Sequence, residues 1–261
     1  MSKIENAISE LYRIDDLANR DQWVNNIHPL VKFVLTILYI VVTVSFPKYD
    51  MIGTAGMVLY LIPMFILSEL SWKEAVKRLM PVLPFVCIVG IANPFFDRIP
   101  VVLLGIPMTS GVLSMLTLMM KGFFAVMASY ILVATTTIEK ICYALRLLHV
   151  PKIMVTQIML TYRYITVLMK EVSRITQAYA LRAPGQNGVH FKAWGSLTGQ
   201  LLLRSIDRAN TVYESMTIRG YQGEFRYVGS HTRLKTGDIL FLAVWAAVIV
   251  LLRYFPIFLL V

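Results

Sequence analysis

Five long apolar runs restrict what this chain can become more than any other feature. Leu30–Phe46, Met51–Ser68, Met80–Phe96, Gly111–Thr135 and Ile239–Val261 contain no Asp or Glu and only Lys32, Lys121 and Arg253 among the basic residues. Each reaches the ~17–25 residues that a helix needs to cross the hydrocarbon core. No water is present there to take a backbone hydrogen bond, so a helix, which satisfies its own N–H and C=O groups, is the expected form. The expected fold is an all-α polytopic membrane protein of about five transmembrane helices. Only 15% of the residues are charged, too few to coat a soluble domain of this length.

The boundaries follow from proline, glycine and charge. Residues 1–29 read as a cytoplasmic lead-in, polar and mixed in charge, without the pattern of a signal peptide. His28-Pro29 opens the first span, since proline suits a first helical turn. Lys32 stands close to the start, where a long side chain can reach the headgroups. Glu69–Arg78 is a charged connection. Asp97–Ser110, with Val101-Val102-Leu103-Leu104 before Gly105-Ile106-Pro107, reads as a strand or short hairpin outside the membrane. The membrane region of four spans covers 30–135, a coupling region 136–237, and the last span 238–261. Lys121 lies mid-span. Such a residue is a functional-site candidate, and its alternative is to face another helix or a partner subunit.

Charge sets the orientation. Glu139–Asp238 holds fourteen Lys/Arg against six Asp/Glu. With five spans this block shares the cytoplasmic side with the N-terminus and the Lys73–Arg78 loop. Splitting 99–138 into two spans would put the block across the membrane from that loop, so the positive-inside rule favours five. A multi-pass protein of a prokaryotic plasma membrane is expected, with the basic block near anionic lipid or an acidic partner rather than nucleic acid.

The block itself is helical by pattern. Thr136-Thr137-Ile138-Glu139 reads as a capping box for a helix running to about His149. Pro151 opens a second helix to about Leu181, with Ile158, Tyr162, Ile165, Met169 and Val172 as one apolar stripe. Pro184-Gly185 ends it. A third helix runs from about Phe191 to Ile218, apolar at Leu197, Leu201, Ala209, Val212 and Met216, polar at Arg204, Asp207, Arg208 and Glu214. These helices are too charged to span a bilayer and too apolar on one face to stand alone in water. Each longer helix ends in an arginine beside a glycine or Pro-Gly stop. Glycine is a common C-terminal cap, and arginine there suits the helix dipole. The functional reading gives each end a guanidinium fork for a partner's groove.

Nothing in the pattern supplies a catalyst. No Gly-x-x-x-x-Gly-Lys-Ser/Thr loop occurs. His28, His149, His190 and His231 are scattered, and Cys87 and Cys142 form no metal or redox spacing. Inverted repeats with matching broken helices, expected of a self-sufficient permease, are absent from the sequence. The rival readings are a membrane-bound lipid- or prenyl-modifying enzyme, which needs convergent acids and bases, and a scaffold that transmits no motion.

The ordered pieces His28-Pro29-Leu30-Val31-Lys32, Thr109-Ser110-Gly111-Val112-Leu113, Thr135-Thr136-Thr137 and Leu145-Arg146-Leu147-Leu148-His149-Val150-Pro151 make the chain recognisable. So do Leu160-Thr161-Tyr162-Arg163-Tyr164, Leu203-Arg204-Ser205 with Arg208-Ala209, and Glu214 to Tyr221. The sequence resembles the transmembrane T component of energy-coupling factor importers, in particular the cobalt/nickel-type CbiQ subfamily. The resemblance implies a non-enzymatic subunit working with two ABC ATPases and a substrate-binding membrane subunit. It implies no cofactor in this chain, with ATP and Mg bound by the ATPases. Cobalt or nickel is the implied cargo, with a vitamin-type substrate subunit as the alternative. Two X-Arg-Gly helix ends dock into the ATPases in that family. Ile218-Arg219-Gly220 matches the second, with isoleucine for the usual alanine. Leu181-Arg182-Ala183 departs from the first. The implied coupling-helix contacts are Tyr162, Arg163, Arg204, Arg208 and Met216.

Overall fold

A computed structural model describes residues 3–96, 100–103, 106–185, 188–223 and 234–254. In chain order, α1 (Lys3–Ala18) and α2 (Trp23–Asn26) precede α3 (Pro29–Val44), α4 (Met51–Gly56), α5 (Val58–Leu67), α6 (Trp72–Leu79) and α7 (Leu83–Phe96). An antiparallel hairpin of β1 (Pro100–Leu103) and β2 (Ile106–Thr109) pairs Pro100 with Thr109 and Leu103 with Ile106. It is the hairpin expected at 97–110, and it leads into α8 (Ser110–Thr135). The described chain closes with α9 (Ile138–Leu147), α10 (Lys152–Arg182), α11 (Phe191–Ile218) and α12 (Thr236–Tyr254). Among the described residues α8 and α12 are long and apolar enough to cross a membrane, and α3 and the α4–α5 stretch are shorter apolar helices. Residues 255–261 of the expected last span lie outside the described residues.

The chain forms two compact units. One comprises Met1–Asp16 with Ile138–Val228, the other Leu17–Thr137 with Gly229–Val261.

In the second unit α8 is the central helix, packed by α3, α4, α5, α6 and α7, while α12 packs on α3, α4 and α5. Gly122 lets Val86 of α7 approach: a Cβ at Gly122 would lie 3.1 Å from its methyl carbon. Tyr39, Tyr60, Trp245, Phe241 and Trp23 form a continuous aromatic chain with ring centroids 4.6–6.2 Å apart, tying α2, α3, α5 and α12 together. Four buried threonine hydroxyls are satisfied within their own helices. Thr36, Thr43, Thr117 and Thr135 each donate to the carbonyl four residues back, at 2.7–2.9 Å.

Three sequence expectations are refined here. The run Met51–Ser68 is broken at Met57 instead of forming one helix. At the break Met57 and Tyr60 N–H each donate to the carbonyl three residues back, and Pro63 within α5 has no N–H to give to Leu59. The Tyr39 hydroxyl donates to the Met57 carbonyl at 3.1 Å, satisfying the backbone at the break. Thr136 is the C-cap of α8, and α9 begins at Ile138, so Thr137 immediately precedes the helix for which Thr136 was expected to open the capping box.

Lys32 does not reach for headgroups. It is 4% exposed, and its ammonium donates to the carbonyl of Thr135, the last residue of α8, at 2.7 Å. Lys121 does the converse, donating to Val44 and Phe46 carbonyls at the end of α3, at 3.2 and 2.6 Å. α3 and α8 are antiparallel, and each carries a lysine that caps the other's C-terminal carbonyls, where the helix dipole favours a cation. Lys121 thus faces another helix. Arg253 joins it, donating to Ser45 O at 3.3 Å while its guanidinium sits 4.5 Å over the Phe46 ring.

Candidate functional site

The first unit is built from α1, α9, α10 and α11. α9 ends in a reversal that needs a left-handed residue. His149 supplies it at φ 61°, with Val150 N–H bonded to Leu145 O and His149 N–H to Arg146 O. Pro151 then caps α10. α11 begins with His190, whose Nδ1 accepts from Lys192 N–H at 3.4 Å, just as His28 Nδ1 accepts from Leu30 N–H at the start of α3. Both rings act as N-caps, a use of histidine with no metal in it.

The two arginine ends differ in geometry. α11 ends at Ile218, Arg219 is the C-cap, and Gly220 takes φ 80°. Tyr221 N–H bonds Met216 O and Gly220 N–H bonds Thr217 O, both at 2.9 Å, the 6→1 and 5→2 pair of a Schellman close. α10 ends at Arg182. Ala183 follows at φ −127° with one bond to Tyr179 O, and the left-handed turn comes only at Gly185. Leu181 and Ile218, the residues preceding the arginines, are 84% and 87% exposed.

α10 and α11 run antiparallel along one another, with open hollows lined by both. Arg219 and Gly220 line one hollow of about 410 Å³ together with Arg163 and Tyr164 of α10. Arg182 lines another, of about 440 Å³, with Arg174 and Tyr179 and, from α11, Ser196 and Arg204. Arg163 and Arg182 lie on one helix with about 28 Å of rise between them, so the arginine ends occupy opposite ends of the pair. A more apolar groove of about 530 Å³ lies at the same level of the helix pair as the Arg219 hollow, sharing Leu160, Tyr164, Val212 and Met216 with it and adding Leu168 and Arg208. The stripe on α11 is largely as its spacing predicts: Leu197, Leu201, Val212 and Met216 are half-buried and Ala209 is exposed. The stripe on α10 is not one continuous buried face, although both α9 and α11 pack on this helix. Ile158 and Ile165 are exposed, while Thr156 and Ile175 are buried. α11 has no fully buried residue along its 28 residues.

Polar links join elements of the unit. Glu171 of α10 accepts from Arg204 of α11 and lies 3.7 Å from Arg174. Tyr162 donates its hydroxyl to Asp15 of α1 at 2.6 Å. Burial and then the neighbouring Asp15 carboxylate push the Tyr162 phenol above its ordinary range. Burial also raises the Cys142 thiol, which makes it a poor nucleophile. Asp15 and Glu171 carry these links, and no sequence pattern pairs them with their partners, which lie 147 and 33 residues away. The arrangement offers guanidinium donors, exposed apolar ends and open grooves to another macromolecule. Among the described residues no group of three His, Cys, Asp or Glu side chains is placed to hold a metal ion.

A family model described as cobalt transport protein, CbiQ, matches residues 20–228. Two uncharacterised proteins of Methanocaldococcus jannaschii are similar: one is 29% identical over 121 residues, 46% of this chain and 45% of that protein. The other is 27% identical over 187 residues, 67% and 64% of the two chains. The cobalt transport protein CbiQ of Salmonella typhimurium is 28% identical over 108 residues, 40% of this chain and 47% of that one. The matched stretches span about half to two thirds of these relatives' lengths.

Proposed function

This chain belongs to the CbiQ family of cobalt transport proteins, and from that premise we propose that it is the energy-coupling T subunit of an ATP-driven importer. Five spans hold it in the membrane, with α9, α10 and α11 on the cytoplasmic side. Two ABC ATPase subunits engage the arginine ends, one at Leu181-Arg182-Ala183 and the other at Ile218-Arg219-Gly220. ATP and Mg belong to those subunits, and this chain catalyses nothing. A separate membrane subunit binds cobalt or nickel.

The observation that carries the reading is the antiparallel α10–α11 pair, with its two arginines at opposite ends and its apolar faces open. A single soluble domain would close those hollows. A helix pair that receives force from two places needs its grips far apart and its faces available. ATP binding draws the ATPases together, the docked ends follow, and the helix pair passes the displacement to the spans and the substrate-binding subunit. Such a relay needs an element biased differently by the nucleotide-bound and nucleotide-free states. Arg163 shares the Arg219 hollow, so a carboxylate inserted there would meet two guanidinium groups.

The test is co-purification in mild detergent. Recovery of an ATP-binding cassette protein and a small polytopic subunit, with the cassette lost on Arg219→Glu, supports the reading. Normal assembly and uptake in that variant sinks it.

A further inference from the structure

We infer that the protein segment engaging the Arg219 end presents a carboxylate beside a large apolar side chain, the carboxylate held between Arg163 and Arg219 and the apolar group in the adjoining groove. The inference rests on the reading that an ATPase docks at this end, and its test separates its own failure from the failure of that reading.

The hollow at the end of α11 has cationic donors and no acid. Arg163 comes from α10 and Arg219 from the end of α11, and neither Asp nor Glu is in the lining. Among the described residues no carboxylate pairs with either side chain. Elsewhere in the unit arginines have acids beside them. Glu171 accepts from Arg204 and lies 3.7 Å from Arg174, and Asp207 lines one hollow with Arg204 and Arg208. Other donors near Arg219 are already engaged. The Thr211 and Ser215 hydroxyls donate to the Asp207 and Thr211 carbonyls within α11, and the N–H groups of Gly220 and Tyr221 close the helix end. An anion entering the hollow therefore meets two guanidinium groups. Their mutual repulsion falls when a carboxylate lies between them, and a planar carboxylate can take a bidentate bond from either fork.

The hollow continues into apolar surface. Leu160, Tyr164, Val212 and Met216 line both it and the groove of about 530 Å³, where Leu168 joins them. A methionine in such a surface adapts to the group that packs on it. Gln157, Thr161, Arg208 and Asn210 add polar groups to the groove. Apolar side chains mixed with arginine and amide groups are the composition of a contact between proteins. An acyl chain would leave those polar groups without partners.

The full chain is held in phosphatidylcholine nanodiscs, and binding of the ATP-binding cassette subunit that co-purifies with it is measured by biolayer interferometry at about 50 and about 300 mM KCl. A hydrogen bond to a charged group is worth about tenfold in affinity, so Arg163→Gln should weaken binding about tenfold and flatten its salt dependence. Arg163→Lys should fall in between, since it keeps the charge without the fork. Leu168→Ala should weaken binding about fivefold, with the salt dependence of the wild type. Lys48→Gln, which removes a charge from the other unit, should change neither. One acidic position of the cassette subunit, replaced by arginine, should restore binding to Arg163→Glu, and failure at every such position overturns the pairing. Arg163 is exposed, so the glutamine variant should keep the wild-type melting midpoint. Loss of binding in Arg219→Glu, with affinity and salt dependence unchanged in Arg163→Gln, overturns the inference and leaves the docking reading standing. Normal binding in Arg219→Glu overturns both. Competition by inorganic phosphate or by phosphatidylglycerol at constant ionic strength would make the hollow a phosphate site and overturns the carboxylate.

Discussion

Replacing Lys32 by Met tests whether α3 and α8 hold each other by reciprocal capping. Methionine keeps the length and apolar stem of the side chain and removes the ammonium. The bond lost is the 2.7 Å contact to Thr135 O in a 4%-exposed site. A hydrogen bond to a charged group contributes about 1.5–3 kcal/mol. A cation at a partly buried helix C-terminus adds up to about 2 kcal/mol. Against this stands the cost of keeping an ammonium out of water, which methionine relieves. The balance is a destabilisation of about 2–3 kcal/mol. At about 2–4 °C per kcal/mol for a unit of this size, the midpoint should fall by about 5–10 °C. Lys121→Met, from a half-exposed site with two acceptors, should cost about 1–2 kcal/mol. The two contacts lie at opposite ends of the α3–α8 pair, about 20 Å apart, so the two losses should add within about 0.5 kcal/mol. The assay is thermal unfolding of the full chain in detergent, followed by loss of the monodisperse size-exclusion peak. A Lys32→Met midpoint within a degree or two of wild type would refute the reciprocal capping.

Four further outcomes follow from the coupling unit. Gly220→Ala places a Cβ at φ 80° and should cost about 1 kcal/mol, read as faster amide exchange over the last turn of α11 and weaker ATPase recovery. His149→Gly removes the strain at φ 61° and should stabilise by about 1 kcal/mol, raising the melting midpoint. Tyr162→Phe or Asp15→Asn should release α1 at a cost of about 1–2 kcal/mol, seen as proteolysis in 3–18. The folded phenol is raised, so its contribution is full below the unfolded tyrosine value of about 10 and is lost as pH climbs above it; α1 protection should fall in alkali and not in Tyr162→Phe.

The sequence placed most helices because their signals are local. Phe191–Ile218 is bounded as the spacing predicts, and the end at Arg219-Gly220 is legible because only a left-handed residue closes a helix in that way. The break at Met57 in the second span was not legible, because a turn tightened to bonds three residues back leaves the apolar count unchanged. Lys32 was read by its position along a span, where reaching for headgroups is the local rule, while Lys121 was read as a functional-site candidate whose alternative, facing another helix, is what the structure shows. Their actual acceptors are carbonyls on another helix, 103 and 75–77 residues away, and no local pattern encodes such a pairing. The Tyr162–Asp15 and Glu171–Arg204 links are hidden for the same reason. The candidate site is more legible in its parts than in its arrangement. The arginines and stripes can be found by eye, but the hollows between α10 and α11 come from two helices that lie side by side without closing.

That difference in closure bears on which unit carries the function. In the unit around α8 four buried threonine hydroxyls bond their own helices, two lysines and an arginine cap α3 and α8, and aromatic rings link four helices. A structure so internally satisfied has few alternative packings of similar energy, and it is suited to hold a shape. In the unit of α9–α11 the reverse holds. α11 buries none of its residues completely, and Phe191, Leu181 and Ile218 are more than four-fifths exposed. Glu171 ties α10 to α11 through Arg204, and the hollows on either side are open. Elements with few buried contacts are those that rearrange at low cost. Removing that tie with Glu171→Gln should therefore loosen α11, measured by amide exchange, and leave the melting of the α8 unit unchanged. A coupled loss of both would mean that the chain moves as one body and that the helix pair is not a separate relay.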